Sequence, residues 1–250
     1  MFIDSHCHLD FDVFDKTRTR LLQSCIRQNI AHIINPSVDF ASWQRVLAAS
    51  KKYPEIIPAL GLHPLFCHHH RRQHLDALAG AVKVHNVKII GEIGLDKRKT
   101  EDYQTQLKYF SMQMDIAKVL QKPVIIHAVK SHQEIIAILK QCDFDGGGFI
   151  HAFNASYELA REYCKLGFKL GIGSLLHYPK SRLRERIKQI GVDHLVLESD
   201  APDMPIPACQ NKINTPLSVV KTFHLMAKLL DLSDHCLEEI LYHNTLSVIS

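Results

Sequence analysis

Six side chains of the types that bind divalent cations stand at the ends of five apolar runs in this 250-residue chain. They are His6 and His8 in FIDSHCHLD, Glu92 in KIIGEIGLD, His127 in PVIIHA, His151 in GGGFIHAF and Asp200 in LVLESDAP. Side chains alternate across an extended strand, so His6 and His8 point to one side and Cys7 to the other, and two imidazoles can clasp one ion. An H-x-H pair alone is a weak signal in a chain with 17 histidines, where a partly buried strand-end pair is the ordinary explanation. Four further runs ending in the same ligand types make the pair part of a shared site. A carboxylate closing a strongly apolar strand is costly to bury unless it is paired or metal-bound, and for Glu92 and Asp200 the alternative is a salt bridge capping the sheet. A carboxylate also bridges two ions, so four histidines and two acids suit a binuclear centre with ions roughly 3.5 to 4 Å apart. Mixed nitrogen and oxygen donors point to zinc, manganese or a similar ion, admit magnesium, and argue against calcium.

Residues so far apart in sequence meet only if the elements carrying them run side by side. Runs rich in Val, Ile, Leu and Phe occur at Phe2 to His6, Ile30 to Asn35, Ile56 to His63, Val87 to Ile93, Pro123 to His127, Gly148 to His151, Phe168 to Gly173 and Leu195 to Asp200. Between or after them lie helix-like stretches: Lys16 to Gln28, Ser42 to Lys52, Gln104 to Leu120, Ser131 to Gln141, Ser156 to Leu166, Ser181 to Ile190, Ser218 to Leu230 and Asp234 to Leu246. Eight strands alternating with helices over this length predict an α/β fold, a (β/α)8 TIM barrel forming a single domain over residues 1–250, with no Pro/Gly/Ser-rich linker to divide it. In such a barrel the C-terminal strand ends converge on one rim, where the chemistry sits.

Composition narrows the class further. Hydrophobic residues make up 46% of the chain, enough for a large core, while the longest apolar runs fall far short of the roughly 20 residues of a membrane span. Met1 leads directly into a strand-like FID with no leader pattern, so a cytoplasmic protein is expected. Seven cysteines without a C-x-x-C pair fit reduced thiols rather than a disulfide framework. A formal charge of +4 permits a polyanionic substrate without demanding one. No obligate protein partner is indicated.

The blocks FIDSHCHLD, GLHP, GEIGLD, PVIIH and LESDAP, in this order between Phe2 and Asn244, resemble the TatD family of metal-dependent deoxyribonucleases. The resemblance implies a hydrolase of DNA or RNA phosphodiesters, acting on single-stranded ends, with two divalent ions (Zn, Mn or Mg) per chain. His6, His8, Glu92 and Asp200 would hold one ion and Glu92, His127 and His151 the other, with Glu92 as the bridge and Asp200 deprotonating the attacking water. His63, in GLHP, would stand at the pocket and touch substrate phosphate, or be an ordinary strand-end histidine.

Other roles follow from position. Asp4 and Glu198 lie two residues before His6 and Asp200, so each should sit one layer deeper, holding the free N–H of a ligand imidazole or pairing with each other. Lys97, Arg98 and Lys99 follow GEIGLD and are either phosphate contacts or a solvated loop. Phe66, Phe153 and Tyr178 follow strand ends and could stack on bases or pack beneath loops, with Phe153 in HAFNAS the best match. Arg182, Arg184, Arg186 and Lys188 spread around a helix, and His68 to Arg72 form a solvated stretch able to collect adventitious metal. Two family arginines are replaced, by Val129 and by Thr215 in Asn214-Thr215-Pro216, which removes guanidinium clamps for phosphate. Weaker nuclease activity or a different phosphoester is therefore expected. Two other functions remain: an amide, ester or lactone hydrolase on the same frame, or a catalytically idle binding protein, against which the intact ligand set speaks.

Overall fold

The structure is a computed structural model that describes residues 1–99, 101–209 and 213–250. Its strands are β1 (Phe2–Asp4), β2 (Ile30–Pro36), β3 (Ile56–Leu60), β4 (Ile89–Asp96), β5 (Val124–Val129), β6 (Gly148–Ile150), β7 (Phe168–Ile172) and β8 (Leu195–Leu197). They form one sheet in chain order, and every neighbouring pair is parallel. The Ser5 N–H donates to Leu197 O at 2.9 Å and the Asp200 N–H to His6 O at 2.9 Å, so the last strand meets the first and the sheet closes as a (β/α)8 TIM barrel. All eight residues of β4 are buried. A parallel strand covered on both faces has no solvent side, which is why these runs read as continuous apolar stretches instead of alternating ones.

The surrounding helices are α1 (Arg18–Arg27), α2 (Trp43–Lys52), α3 (Arg72–Val84), α4 (Tyr103–Leu120), α5 (His132–Gln141), α6 (Tyr157–Lys165), α7 (Leu183–Ile190), α8 (Ser218–Leu230) and α9 (Asp234–Ile249). Helix α3 is an addition to the sequence reading: it buries Leu75, Leu78 and Val82 at helical spacing, behind a histidine- and arginine-rich segment that masks its start. None of the described helices is long and apolar enough to cross a membrane.

Several strands stop earlier than their apolar runs. β3 ends at Leu60 and β8 at Leu197 rather than at His63 and Asp200. At β8 the reason is local: Asp200 has φ +58°, the left-handed region, which takes the chain out of the ladder and turns its carboxylate inward. The opposite end of the barrel is filled by Ile3, Ile34, Ala59, Ile89, Ile125, Phe149 and Val196, with Ile249 of α9 packed against them.

Candidate metal centre

Past β1 the chain is tied to the β8 side by the His8 N–H donating to Ala201 O at 2.8 Å, and this carries both histidines of the H-x-H pair over the barrel mouth. His6 Nε2 lies 3.1 Å and His8 Nε2 3.5 Å from Glu92 Oε2, and the two nitrogens are 3.2 Å apart. The other oxygen of Glu92, Oε1, faces His127 Nδ1 at 2.8 Å and His63 Nε2 at 3.3 Å. Asp200 Oδ1 is 3.4 Å from His151 Nε2 and 3.7 Å from His6 Nε2. His6 and His151 stack, with ring centroids 3.6 Å apart. The structure thus gathers the six residues read from the sequence and adds His63 to them.

The outward nitrogens decide what the inward ones can do. His8 Nδ1–H donates to Pro36 O at 3.1 Å, His127 Nε2–H to Asp96 Oδ2 at 2.9 Å, and His151 Nδ1–H to Glu198 Oε2 at 3.1 Å. A neutral imidazole carries one proton, so each of these three presents a lone pair inward. Three lone pairs and two carboxylates buried in one space repel one another unless a cation takes them. The donor chemistry therefore fits divalent metal ions, and carboxylate or carbonyl partners on the far nitrogen are the usual way of aiming such ligands. His6 Nδ1 is buried and has no partner among the described residues.

The charges show the same pull. Burial would raise Glu92, but His63, His6 and His127 around it outweigh burial and hold its carboxyl well below the usual carboxylate range. Burial opposes charge on His151, yet Glu198 and Asp200 prevail and raise it well above an ordinary imidazole. His6, by contrast, is lowered by burial and by the neighbouring His151.

The carboxylates beneath differ in what they hold. Glu198 accepts from His151 and from the Ala152 N–H at 2.8 Å. It lies across Gly171, where a Cβ would come within 2.0 Å of Glu198 Oε2, so no larger residue fits there without displacing it. Asp4 holds no imidazole and makes no hydrogen bond to Glu198. It accepts instead from Ser199 Oγ–H at 2.6 Å, the Ser199 N–H at 2.9 Å and the His6 N–H at 3.2 Å, which braces the seam between β1 and β8, and burial pushes it up to about 8.

Asp96 is the site residue that the sequence reading passed over. It is fully buried, and Arg98 grips its carboxylate through Nε at 3.0 Å to each oxygen. Its signal was present in GEIGLD: it follows Glu92 by four residues on one strand, which returns it to the same side.

A cavity of about 780 Å³ opens above these groups, lined among others by Phe11, Phe66, Arg98, Val129, Lys130 and Asp203. Phe11 stacks on His8, with ring centroids 4.9 Å apart. Two expected substrate contacts lie elsewhere. Lys97 is paired with Glu134 of α5 and sits over the Tyr103 ring, off the cavity wall. Phe153 is 1% exposed and packs edge-on against His132 at 6.2 Å, leaving no face for a base. Arg98 reaches the cavity but is committed to Asp96, whereas Lys130 beside Val129 stands in the wall with no carboxylate partner among the described residues.

Residues 3–250 match the family model described as TatD related DNase. The chain belongs to the TatD family. It is 33% identical over 232 residues to the uncharacterized metal-dependent hydrolase YjjV of Escherichia coli, covering 91% of this chain and 90% of that protein. The crystal structure of YJJV, a TatD homolog from the same organism, superposes with a TM-score of 0.95 at 32% identity, over 99% of this chain and 97% of the other. A Danio rerio protein named "Putative deoxyribonuclease tatdn3" is 27% identical, across 100% of this chain and 97% of its own length. This TatD-family protein is accordingly a metal-dependent hydrolase.

Proposed function

We propose that this TatD-family protein hydrolyses phosphodiester bonds of nucleic acid, at single-stranded ends of DNA or RNA, using two divalent ions. The observation that carries the proposal is the placing of Glu92 between two sets of imidazole nitrogens, His6 and His8 on one oxygen and His127 on the other. That is what a bridging carboxylate requires. His6, His8 and Glu92 would hold one ion and Glu92 and His127 the other, with His151 and Asp200 completing the pair. Zinc, manganese or magnesium bound there supplies a Lewis acid for a phosphoryl oxygen and brings the pKa of water from about 15.7 toward 7.

The protein's own groups do the rest. Asp200, whose carboxyl is held ionised by His151 and His6 against burial, accepts the proton of the attacking water. Lys130 draws the phosphate chain to the cavity mouth, in place of the guanidinium that Val129 lacks. Phe11 and Phe66 offer apolar walls for a terminal base, a contact worth roughly 1 to 3 kcal/mol where stacking occurs. A single lysine is a weaker clamp than a bidentate arginine, so binding is expected to be loose.

The test is metal analysis of protein purified without chelator, followed by assays on single-stranded DNA, RNA, a generic phosphodiester and a panel of carboxylic esters, lactones and amides. Two ions per chain with chelator-sensitive cleavage of the nucleic acids is the expected result. Turnover confined to the carboxylic substrates would replace this function with an ester or amide hydrolase.

A further inference from the structure

His63, Glu92 and His127 offer ligand atoms within 4.8 Å of one another, which on distance alone makes His63 a candidate ligand. Its hydrogen bonds say otherwise. The Leu65 N–H donates to His63 Nδ1 at 3.1 Å, so Nδ1 holds a lone pair and cannot carry a proton. The single proton of the neutral ring is then on Nε2, the nitrogen that faces Glu92 Oε1 at 3.3 Å. This is the reverse of His8, His127 and His151, whose protons face outward and whose lone pairs face the centre.

The arrangement is fixed from several sides. The His63 N–H donates to Val38 O at 2.8 Å, while His63 O accepts from the Phe66 N–H at 3.1 Å and from His70 Nε2–H at 3.0 Å. The ring is wedged edge-on between His127, with centroids 4.5 Å apart, and Phe66, at 5.8 Å. Turning the ring over would leave the Leu65 N–H, at the start of the turn Pro64–His69, without its acceptor, which costs a buried amide its hydrogen bond.

We propose that His63 is a catalytic hydrogen-bond donor to a substrate oxygen and not a metal ligand. Its Nε2–H points into the cavity from the β3 side, where it can bond a non-bridging phosphoryl oxygen that gains charge during the reaction. A donor of this kind, held in place before the substrate arrives, is worth about a hundredfold in rate. Only the identity of the oxygen as phosphoryl rests on the function proposed above.

Long-range ¹H–¹⁵N correlation spectra of the imidazoles, recorded on the full chain with and without zinc, read the tautomer directly, with His63→Asn used to assign the ring. The expected result is a proton on Nε2 and a bare Nδ1 in both states. A proton on Nδ1, or an Nε2 signal that moves to the metal-bound position on zinc addition, overturns the proposal. His63→Phe should keep the wild-type number of ions per chain and lose about a hundredfold in kcat/KM. His63→Asn, which retains a carbonyl for Leu65 and an amide donor, should lose less. Loss of one ion per chain in either variant, or unchanged kcat/KM in His63→Phe, would also overturn it. A wild-type protein that cleaves no phosphodiester removes the phosphoryl substrate, while the spectra and the metal count still decide the role of His63.

Discussion

The two ends of the barrel interior are built on the same strands and differ by a single step of the pleat. Ile125 precedes His127 by two residues, Phe149 precedes His151 by two, and Val196 precedes Glu198 by two. Each pair therefore points into the same barrel about 7 Å apart along its strand. The lower layer is hydrocarbon, with Ile3, Ile34, Ile89, Ile125, Phe149 and Val196 closed off by Ile249. It is complete in itself, because apolar side chains need only each other. The upper layer holds His6, His8, Glu92, His127, His151 and Asp200, all within hydrogen-bonding or ion-pair distance of one another. These groups cannot satisfy one another without a cation. One end stabilises the fold and the other stores the chemistry, so variants of equal burial should fail in opposite ways.

The largest effect expected is at the upper end. Asp200→Asn keeps the shape and removes the proton acceptor, and should lower kcat/KM on single-stranded DNA roughly a thousandfold, equivalent to about 4 kcal/mol of barrier. Its melting temperature should hold or rise, since one buried charge is gone. Steady-state kinetics alongside a thermal melt check both. Turnover within about threefold of wild type would take the proton-accepting role from Asp200.

At the lower end the signs reverse. Phe149 is 1% exposed, and Phe149→Ala leaves a cavity in a closely packed layer, so unfolding in urea should become easier by about 3 to 4 kcal/mol. The folded fraction should retain most of its turnover. If this variant instead keeps its stability and loses activity as Asp200→Asn does, the two layers are not separable and the division drawn between them fails.

How much of this was readable in the chain follows the same division. The alternation of apolar runs and amphipathic stretches announced the barrel because each element has only one way to bury its face. Residue type at the strand ends gave the six groups that meet, since a histidine or carboxylate closing an apolar run is conspicuous. Direction was harder to read. Asp4 and Glu198 have the same sequence offset from their neighbours, yet Glu198 holds an imidazole and Asp4 holds Ser199, because the seam between β1 and β8 has backbone donors that a strand pattern does not reveal. Helix α3 was hidden by a charged and histidine-rich entry. Lys97 and Phe153 lay on the right loops, but partners far away in sequence, Glu134 and His132, had already taken them.

Asp96 joins the two layers, and its variant sharpens the comparison most finely. It is fully buried, as the lower layer is, yet it acts on the upper one: it accepts His127 Nε2–H at 2.9 Å and so turns Nδ1 toward Glu92. Asp96→Asn keeps the volume and an acceptor oxygen but loses the charge, and its amide can present a donor to His127 that favours the opposite tautomer. Metal affinity, measured by competition against a chromogenic chelator, should weaken about 10- to 100-fold, or roughly 1.4 to 2.7 kcal/mol. Arg98→Gln is the informative partner, since it releases Asp96 from the guanidinium that shares its charge. With the carboxylate given over to His127, metal affinity should hold or improve even if Asp96 becomes less rigid. Equal weakening in both variants would mean that Arg98 and Asp96 serve only to fold the loop after β4, and wild-type affinity in Asp96→Asn would mean that His127 is aimed by packing alone.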